Sequence, residues 1–152
     1  MKNFIFSFIL FALLLTVNAD PFQLNKRPIT FEACDPKLDL LTVKIRTNPP
    51  EIGKSESFDV SGNLTKNDIT INQTFLIIEY QNVIGAPIAD DYIQTFNNSF
   101  KAGTPFKISA SDVPTPKLPD IYMLGVGVGN NKSDDMFACV YALVNGRSSE
   151  KN

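Results

Sequence analysis

Histidine is missing from all 152 residues. That removes the side chain most often used as a general base near neutral pH and the commonest protein metal ligand. No G-x-S-x-G nucleophile elbow occurs, and the chain has neither an internal repeat nor a run of helical period. Basic residues never gather. The 14 lysines and arginines face 16 acidic residues without forming a patch, which argues against nucleic acid and strongly anionic membranes as partners. The adjacent carboxylates Asp90-Asp91 and Asp134-Asp135 lack the spacing of a calcium loop, so no metal site is expected. Gly125-Val126-Gly127-Val128-Gly129 lies inside an apolar run with no helix after it, and therefore fails as a phosphate loop. These absences point away from an enzyme, and no cofactor is expected.

Cysteine is scarce too: Cys34 near the start and Cys139 near the end. The N-terminus indicates the compartment in which they meet. Lys2 precedes a continuous apolar run, Phe4 to Val17, which ends in Val17-Asn18-Ala19. The run is short for a membrane span and has the small-residue exit of a secretory signal, so residues 1–19 read as a signal peptide. Residues 20–30 read as a leader, with Lys26-Arg27 a candidate processing site beside Pro28. Removal of residues 1–19 leaves 133 residues with 13 basic and 16 acidic side chains, a single mildly acidic domain. In an oxidising compartment Cys34 and Cys139 should pair. Four N-glycosylation sequons, at Asn63, Asn72, Asn97 and Asn131, suit a secreted glycoprotein.

What remains is strand-like. Ser57 to Thr65 alternates Phe58, Val60 and Leu64 with polar residues, and Thr74 to Tyr80 carries Leu76, Ile78 and Tyr80 on one side. Leu38 to Thr47 precedes this pair and stops at Asn48-Pro49-Pro50. Ile88 to Phe96 can form a strand, with Tyr92 and Phe96 competing against Ile93 for its inner face. Phe106 to Ala110 has Phe106 and Ile108 on its dry side. Val113 to Pro119, with three prolines, reads as a stiff extended connection. Ile121 to Val128 and Met136 to Val144 complete about seven strands, and the tail 146–152 is charged. Short strands at this spacing indicate an all-β sandwich. In the Ile121–Val128 run either the Tyr122 face or the glycine face can look inward, and pattern alone favours Tyr122.

The order of motifs carries a resemblance. An early F-E-A-C is followed by a strand ending in N-P-P, then by G-K-S-E-S-F-D-V-S-G. K-A-G-T-P-F-K-I, a V-P-T-P-K-L-P-D loop and a last strand F-A-C-V-Y-A-L-V come later. From Phe31 to Val144 the chain resembles the MD-2-related lipid-recognition (ML) domain family, and within it the fungal phosphatidylglycerol/phosphatidylinositol transfer proteins. The resemblance implies an immunoglobulin-like sandwich over residues 31–145, splayed around an apolar cavity that holds a phospholipid or sterol and carries it between membranes. It also implies a Cys34–Cys139 bond, without the two further disulfides of animal sterol carriers. The cavity would be lined by Phe58, Val60, Leu76, Ile78, Tyr80, Phe106 and Ile108. Its mouth would lie between Ile84, Pro87 and Ile88 on one loop and Val113 and Leu118 on the other. The resemblance turns Ile121 and Met123 inward, against the pattern reading. The expected partners are a lipid and, transiently, a membrane, with the protein a monomer. A solid-cored secreted module binding protein or glycan through its loops, or a structural matrix glycoprotein, are the alternatives.

Overall fold

The structure is a computed structural model that describes residues 28–130 and 135–145. The expected signal peptide, most of the leader with Lys26-Arg27, the Asn131 sequon, Asp134 and the tail lie outside the described residues. Eight strands follow in chain order. They are β1 (Glu32–Ala33), β2 (Leu41–Ile45), β3 (Ser55–Asn63), β4 (Phe75–Gln81), β5 (Tyr92–Thr95), β6 (Pro105–Pro114), β7 (Ile121–Gly129) and β8 (Met136–Asn145). They form two antiparallel sheets, one of five strands in the order β1-β8-β7-β4-β5 and one of three in the order β2-β3-β6. The seven expected strands are all present, and the two-residue β1 is an edge too short to show in the pattern.

The sheets face each other through the alternate residues of each strand. Phe58 and Val60 of β3 and Phe106, Ile108 and Ala110 of β6 meet Leu76, Ile78 and Tyr80 of β4 across one apolar core. Tyr122, Leu124, Val126 and Val128 of β7 join the same core, as do Val140, Ala142 and Val144 of β8. On β5 the undecided face is settled by Phe96, which is buried, while Ile93 points outward.

Two features set which residues face inward. The first is a bulge in β6. Val113 pairs with Glu56 but Ala110 with Phe58, so β6 spends one more residue than β3 over this stretch. Asp112 absorbs the irregularity with φ of 61°, a left-handed conformation that aspartate tolerates better than most residues. The alternation Phe106, Ile108, Ala110 is thereby re-phased, and Val113 and Thr115 become buried in place of Asp112 and Pro114.

The second is the glycine run of β7. Ile121 is 42 % exposed and Met123 is not part of the core, so the inward orientation implied for these two by the resemblance is wrong. Gly125, Gly127 and Gly129 lie on that outer side and are buried because neighbouring groups lie across them. A Cβ on Gly125 would fall 2.8 Å from Cγ of Glu79, and one on Gly127 2.7 Å from the Met136 sulfur. At Gly129 it would fall 2.5 Å from the Asp135 carbonyl oxygen.

The crossings between sheets are unevenly placed. The β1–β2, β3–β4 and β5–β6 connections pass from one sheet to the other at the same end of the sandwich, and only β6–β7 crosses at the opposite end. The crowded end carries the other ties. Cys34 is disulfide-bonded to Cys139, Asp39 bridges to Ala138 and holds Thr65, and Ile69 bridges to Phe100. Asp68 there accepts from Lys101 Nζ at 2.7 Å and from the Ala102 amide at 2.8 Å, which holds its carboxyl below the usual range. One side-chain bond, Gln94 to the Ser109 carbonyl, joins the layers along the β5/β6 edge.

The disulfide spans 105 residues of sequence, and closing a loop of that length is worth about 4–5 kcal/mol in the chain-entropy account. Replacing both cysteines with serine should lower Tm by at least ~10 °C in scanning calorimetry. An unchanged Tm would show that the bond does not constrain the chain. The glycines rank separately: Gly129→Ala meets rigid backbone and should cost about 1–3 kcal/mol in urea unfolding. Gly127→Ala meets a flexible methionine end and should cost less, and the reverse order would contradict the outward orientation of this face.

Candidate functional site

The open end of the sandwich, where only the β6–β7 connection crosses, is bordered by the loops 46–54, 82–91 and 115–120. The expected mouth residues divide there. Val113 is fully buried, Ile88 and Leu118 are partly buried against the core, and Ile84 is 85 % exposed at the tip of its turn. Ile84 therefore belongs to the rim and lines no interior surface. The turn is locally determined: Asn82 Oδ1 accepts from the amides of Ile84 and Ala86, and Gly85 takes φ of 81°.

Just inside this end, four polar side chains converge between the layers. Glu56 of β3 and Thr115 after β6 come from the three-stranded sheet, and Tyr80 of β4 and Tyr122 of β7 from the other. They are only 2 %, 5 %, 4 % and 2 % exposed, respectively. Glu56 is held by its own strand pair, with Oε1 accepting from the amides of Thr47 at 3.0 Å and Ser57 at 2.8 Å. Among the described residues the hydroxyls of Tyr80, Thr115 and Tyr122 find no hydrogen-bond partner. The Thr115 hydroxyl neighbours that of Tyr80 closely enough to favour its ionised form slightly, yet the pair does not reach hydrogen-bond geometry. The two phenol rings lie 6.1 Å apart between centroids at a tilt of 47°. Burial pushes both phenols above the ordinary tyrosine range; the Glu56 carboxylate raises Tyr80 further, and Tyr80 raises Tyr122.

Sequence reasoning placed only Tyr80 of this group in the site, as an apolar wall. Tyr122 was the inward residue that pattern alone favoured. Glu56 could have been found by extending the alternation of Phe58 and Val60 one step back. Thr115 could not, because period two puts it outside until the bulge is known.

The remaining lining residues behave as core. Phe58, Val60, Leu76, Ile78, Phe106 and Ile108 are all buried against one another, and the gap expected between the sheets is closed. Open concavities among the described residues include two that are not lined from both sheets. One of about 420 Å³ lies on the three-stranded sheet around Lys44, Asp59 and Ser109; one of about 640 Å³ lies along residues 87–91.

Apolar side chains stand out along the rim of the open end among charged ones such as Arg46, Lys54, Asp90 and Lys117. Ile52, Val83, Ile84, Ile121 and Leu143 are all exposed there. The described sequon asparagines occupy the other end: Asn63 closes β3, Asn72 lies in the β3–β4 crossing and Asn97 follows β5, all exposed.

No family profile and no curated protein matches this sequence. Among solved structures the chain is similar to the crystal structure of chicken MD-1 complexed with lipid IVa. Identity is 15 %, the TM-score is 0.50, and the match covers 77 % of this chain and 88 % of that one. The shared feature is the fold, an immunoglobulin-like β-sandwich.

The two buried phenols predict how stability depends on pH. Their folded pKa values lie above the unfolded one, so above about pH 10 the unfolded chain releases protons that the native state retains. Their contribution is intact below that pH and falls as pH rises beyond it. Ultraviolet titration should show Tyr80 and Tyr122 ionising above free tyrosine, with Tyr122 the higher. Tyr122→Phe should remove the highest step, and its persistence would assign that step to another tyrosine.

Proposed function

We propose that this protein is a secreted lipid carrier of the ML type that takes an acyl or sterol skeleton between its sheets and passes it between membranes. One observation carries the reading. Three buried hydroxyls without partners stand between the layers at the end where only one connection crosses. Leaving a buried polar group unsatisfied costs about 1–3 kcal/mol, so the closed form holds a destabilisation that separating the sheets at that end would relieve. Opening there breaks no sheet ladder, because the two sheets share no strand. The apolar inner faces so exposed would suit a hydrocarbon guest. The fold shared with MD-1, a protein crystallised with lipid IVa, supports the same reading.

Transfer follows from the hydrophobic effect. Moving a sixteen-carbon chain into water costs on the order of 12 kcal/mol, at ~0.8 kcal/mol per CH₂. A carrier whose mouth touches the bilayer removes most of that barrier, and the apolar side chains of the rim give the mouth a surface to touch with. The absence of histidine and of a nucleophile elbow supports binding without catalysis. The signal-like N-terminus and the disulfide support a secretory route, with glycosylation at the sequons and a monomeric form. Which phospholipid or sterol is carried is a matter of the polar groups at the mouth.

The closed packing of the core favours one competing reading, a solid sandwich that binds a protein or glycan through its loops. Native mass spectrometry after incubation with phosphatidylcholine vesicles separates the two: a carrier gains the mass of a lipid, and a protein that never does is not one. For the carrier, Ile84→Asp should reduce transfer of labelled lipid between vesicles about tenfold, the worth of one buried isoleucine side chain. Tm should stay within about 1–2 °C, since an exposed substitution rarely shifts stability by more than ~0.5 kcal/mol. Unchanged transfer would remove the rim from the mechanism.

A further inference from the structure

The four polar groups at the open end are not an ordinary lining for a hydrocarbon site. A sandwich that only had to enclose an acyl chain would do better with phenylalanine at positions 80 and 122 and valine at 115, because each buried hydroxyl loses water without gaining a partner. A ligand that brings its own hydrogen-bonding group would supply that partner. The chemistry of the four side chains limits what the group can be. Two phenols and a threonine hydroxyl each donate and accept, and the Glu56 oxygen facing the Thr47 and Ser57 amides accepts. The Glu56 carboxyl thus adds an acceptor to the site. Basic side chains stand outside: Arg46, Lys54 and Lys117 are exposed, and Lys54 is paired with Glu51 at 2.5 Å. A phosphodiester placed here would stand against the Glu56 carboxyl, and among the described residues no basic side chain is buried to offset its charge. An alcohol would fit, donating to one oxygen and accepting from a neighbouring phenol.

We propose that Glu56, Tyr80, Thr115 and Tyr122 form an internal site for the uncharged hydroxyl end of an amphipathic lipid, and that this site selects neutral lipid alcohols over anionic phospholipids. The inference rests on the carrier reading above and narrows it. The shared chemistry is a single alcohol group beside an extended apolar skeleton, which a sterol or a diacylglycerol can equally supply. The hydroxyl is held between the layers at the mouth, and the skeleton extends toward Ile78 and Phe58 in the interior.

The test uses the full secreted chain incubated with phosphatidylcholine vesicles that contain cholesterol, dioleoylglycerol, phosphatidylglycerol or phosphatidylinositol in separate arms, with native mass spectrometry as the readout. The expected result is capture of cholesterol, dioleoylglycerol or both, and at least tenfold less capture of either anionic phospholipid. The first two arms identify the source of the alcohol. The double variant Tyr80→Phe/Tyr122→Phe should lose at least tenfold in capture of the alcohol while its Tm, measured without lipid, stays equal or rises. A Tm that falls would mean that the phenols already have partners in the lipid-free protein, and would overturn the proposal. Preferential capture of phosphatidylglycerol or phosphatidylinositol, unaffected by the double variant, would overturn the alcohol site and leave the carrier standing. No capture of any lipid would remove both.

Discussion

The structure depends on how its two sheets are tied, and the ties are lopsided. Three of the four chain crossings, the Asp39–Ala138 bridge and the Ile69–Phe100 bridge stand at one end, where the Cys34–Cys139 bond also anchors the start of the β1–β2 crossing to β8 within its own sheet. Among the described residues the other end is crossed only by residues 115–120, where Pro116 and Pro119 stiffen the chain, and is braced by the Ile29 amide donating to Asn48 Oδ1. Hydrophobic burial holds the layers together along their whole length, yet burial is non-directional and does not fix how far apart they sit at a given point. Chain crossings and the hydrogen bonds that brace them do. A sandwich fastened this way is resistant at one end and compliant at the other, whatever occupies its interior.

The compliant end is also where the interior stops being purely apolar. Along most of their length the inner faces follow the rule that buried positions are apolar: Val60, Leu76, Leu124, Val126 and Val128 are essentially without solvent contact. At Glu56, Tyr80, Thr115 and Tyr122 that rule is broken from both sheets at once. A single buried hydroxyl without a partner is a tolerable defect, since native structures contain a few. Three of them, two phenols from one sheet and a threonine from the other beside a fixed glutamate, concentrate the cost where separating the sheets is easiest. Local conflict with the packing rule combined with weak local fastening is the pattern expected of a site, and its opposite is seen at the tied end.

Much of the fold was legible because the period of two survives in nearly every strand. Phe58 and Val60, Leu76 and Ile78, and Phe106 and Ile108 are on the inner faces as their alternation requires. β5 was ambiguous because it is an edge strand with apolar residues on both sides, and only burial of Phe96 decides it. On β7 the alternation was correct and the inward turn assigned to Ile121 and Met123 was not. Glycines in that strand admit two explanations, room for a guest or room for a neighbour, and contacts with Glu79, Met136 and Asp135 show the second. The polar site was mostly hidden. Its members lie far apart in sequence, and one of them is brought inside by a bulge that leaves no periodic trace, since Asp112 looks like any polar loop residue until its φ is known.

The surface repeats the division made by the interior. Asn63, Asn72 and Asn97 all lie in or beside segments that enter or leave the tied end, so glycans there would shield the crossings and stand clear of the far rim. Most of the exposed isoleucine, valine and leucine side chains stand around the compliant end, with Leu40 and Ile71 the exceptions at the tied end. Large apolar groups at loop tips are costly in water, and neighbouring glycans would hinder any surface they were meant to meet. Keeping the two apart lets one end of a small sandwich carry bulk and covalent fastening while the other meets an apolar partner. Each arrangement is ordinary alone. Their coincidence with the buried hydroxyls at one mouth makes that end, and no other part of the described chain, the place where an amphipathic ligand would enter head-last.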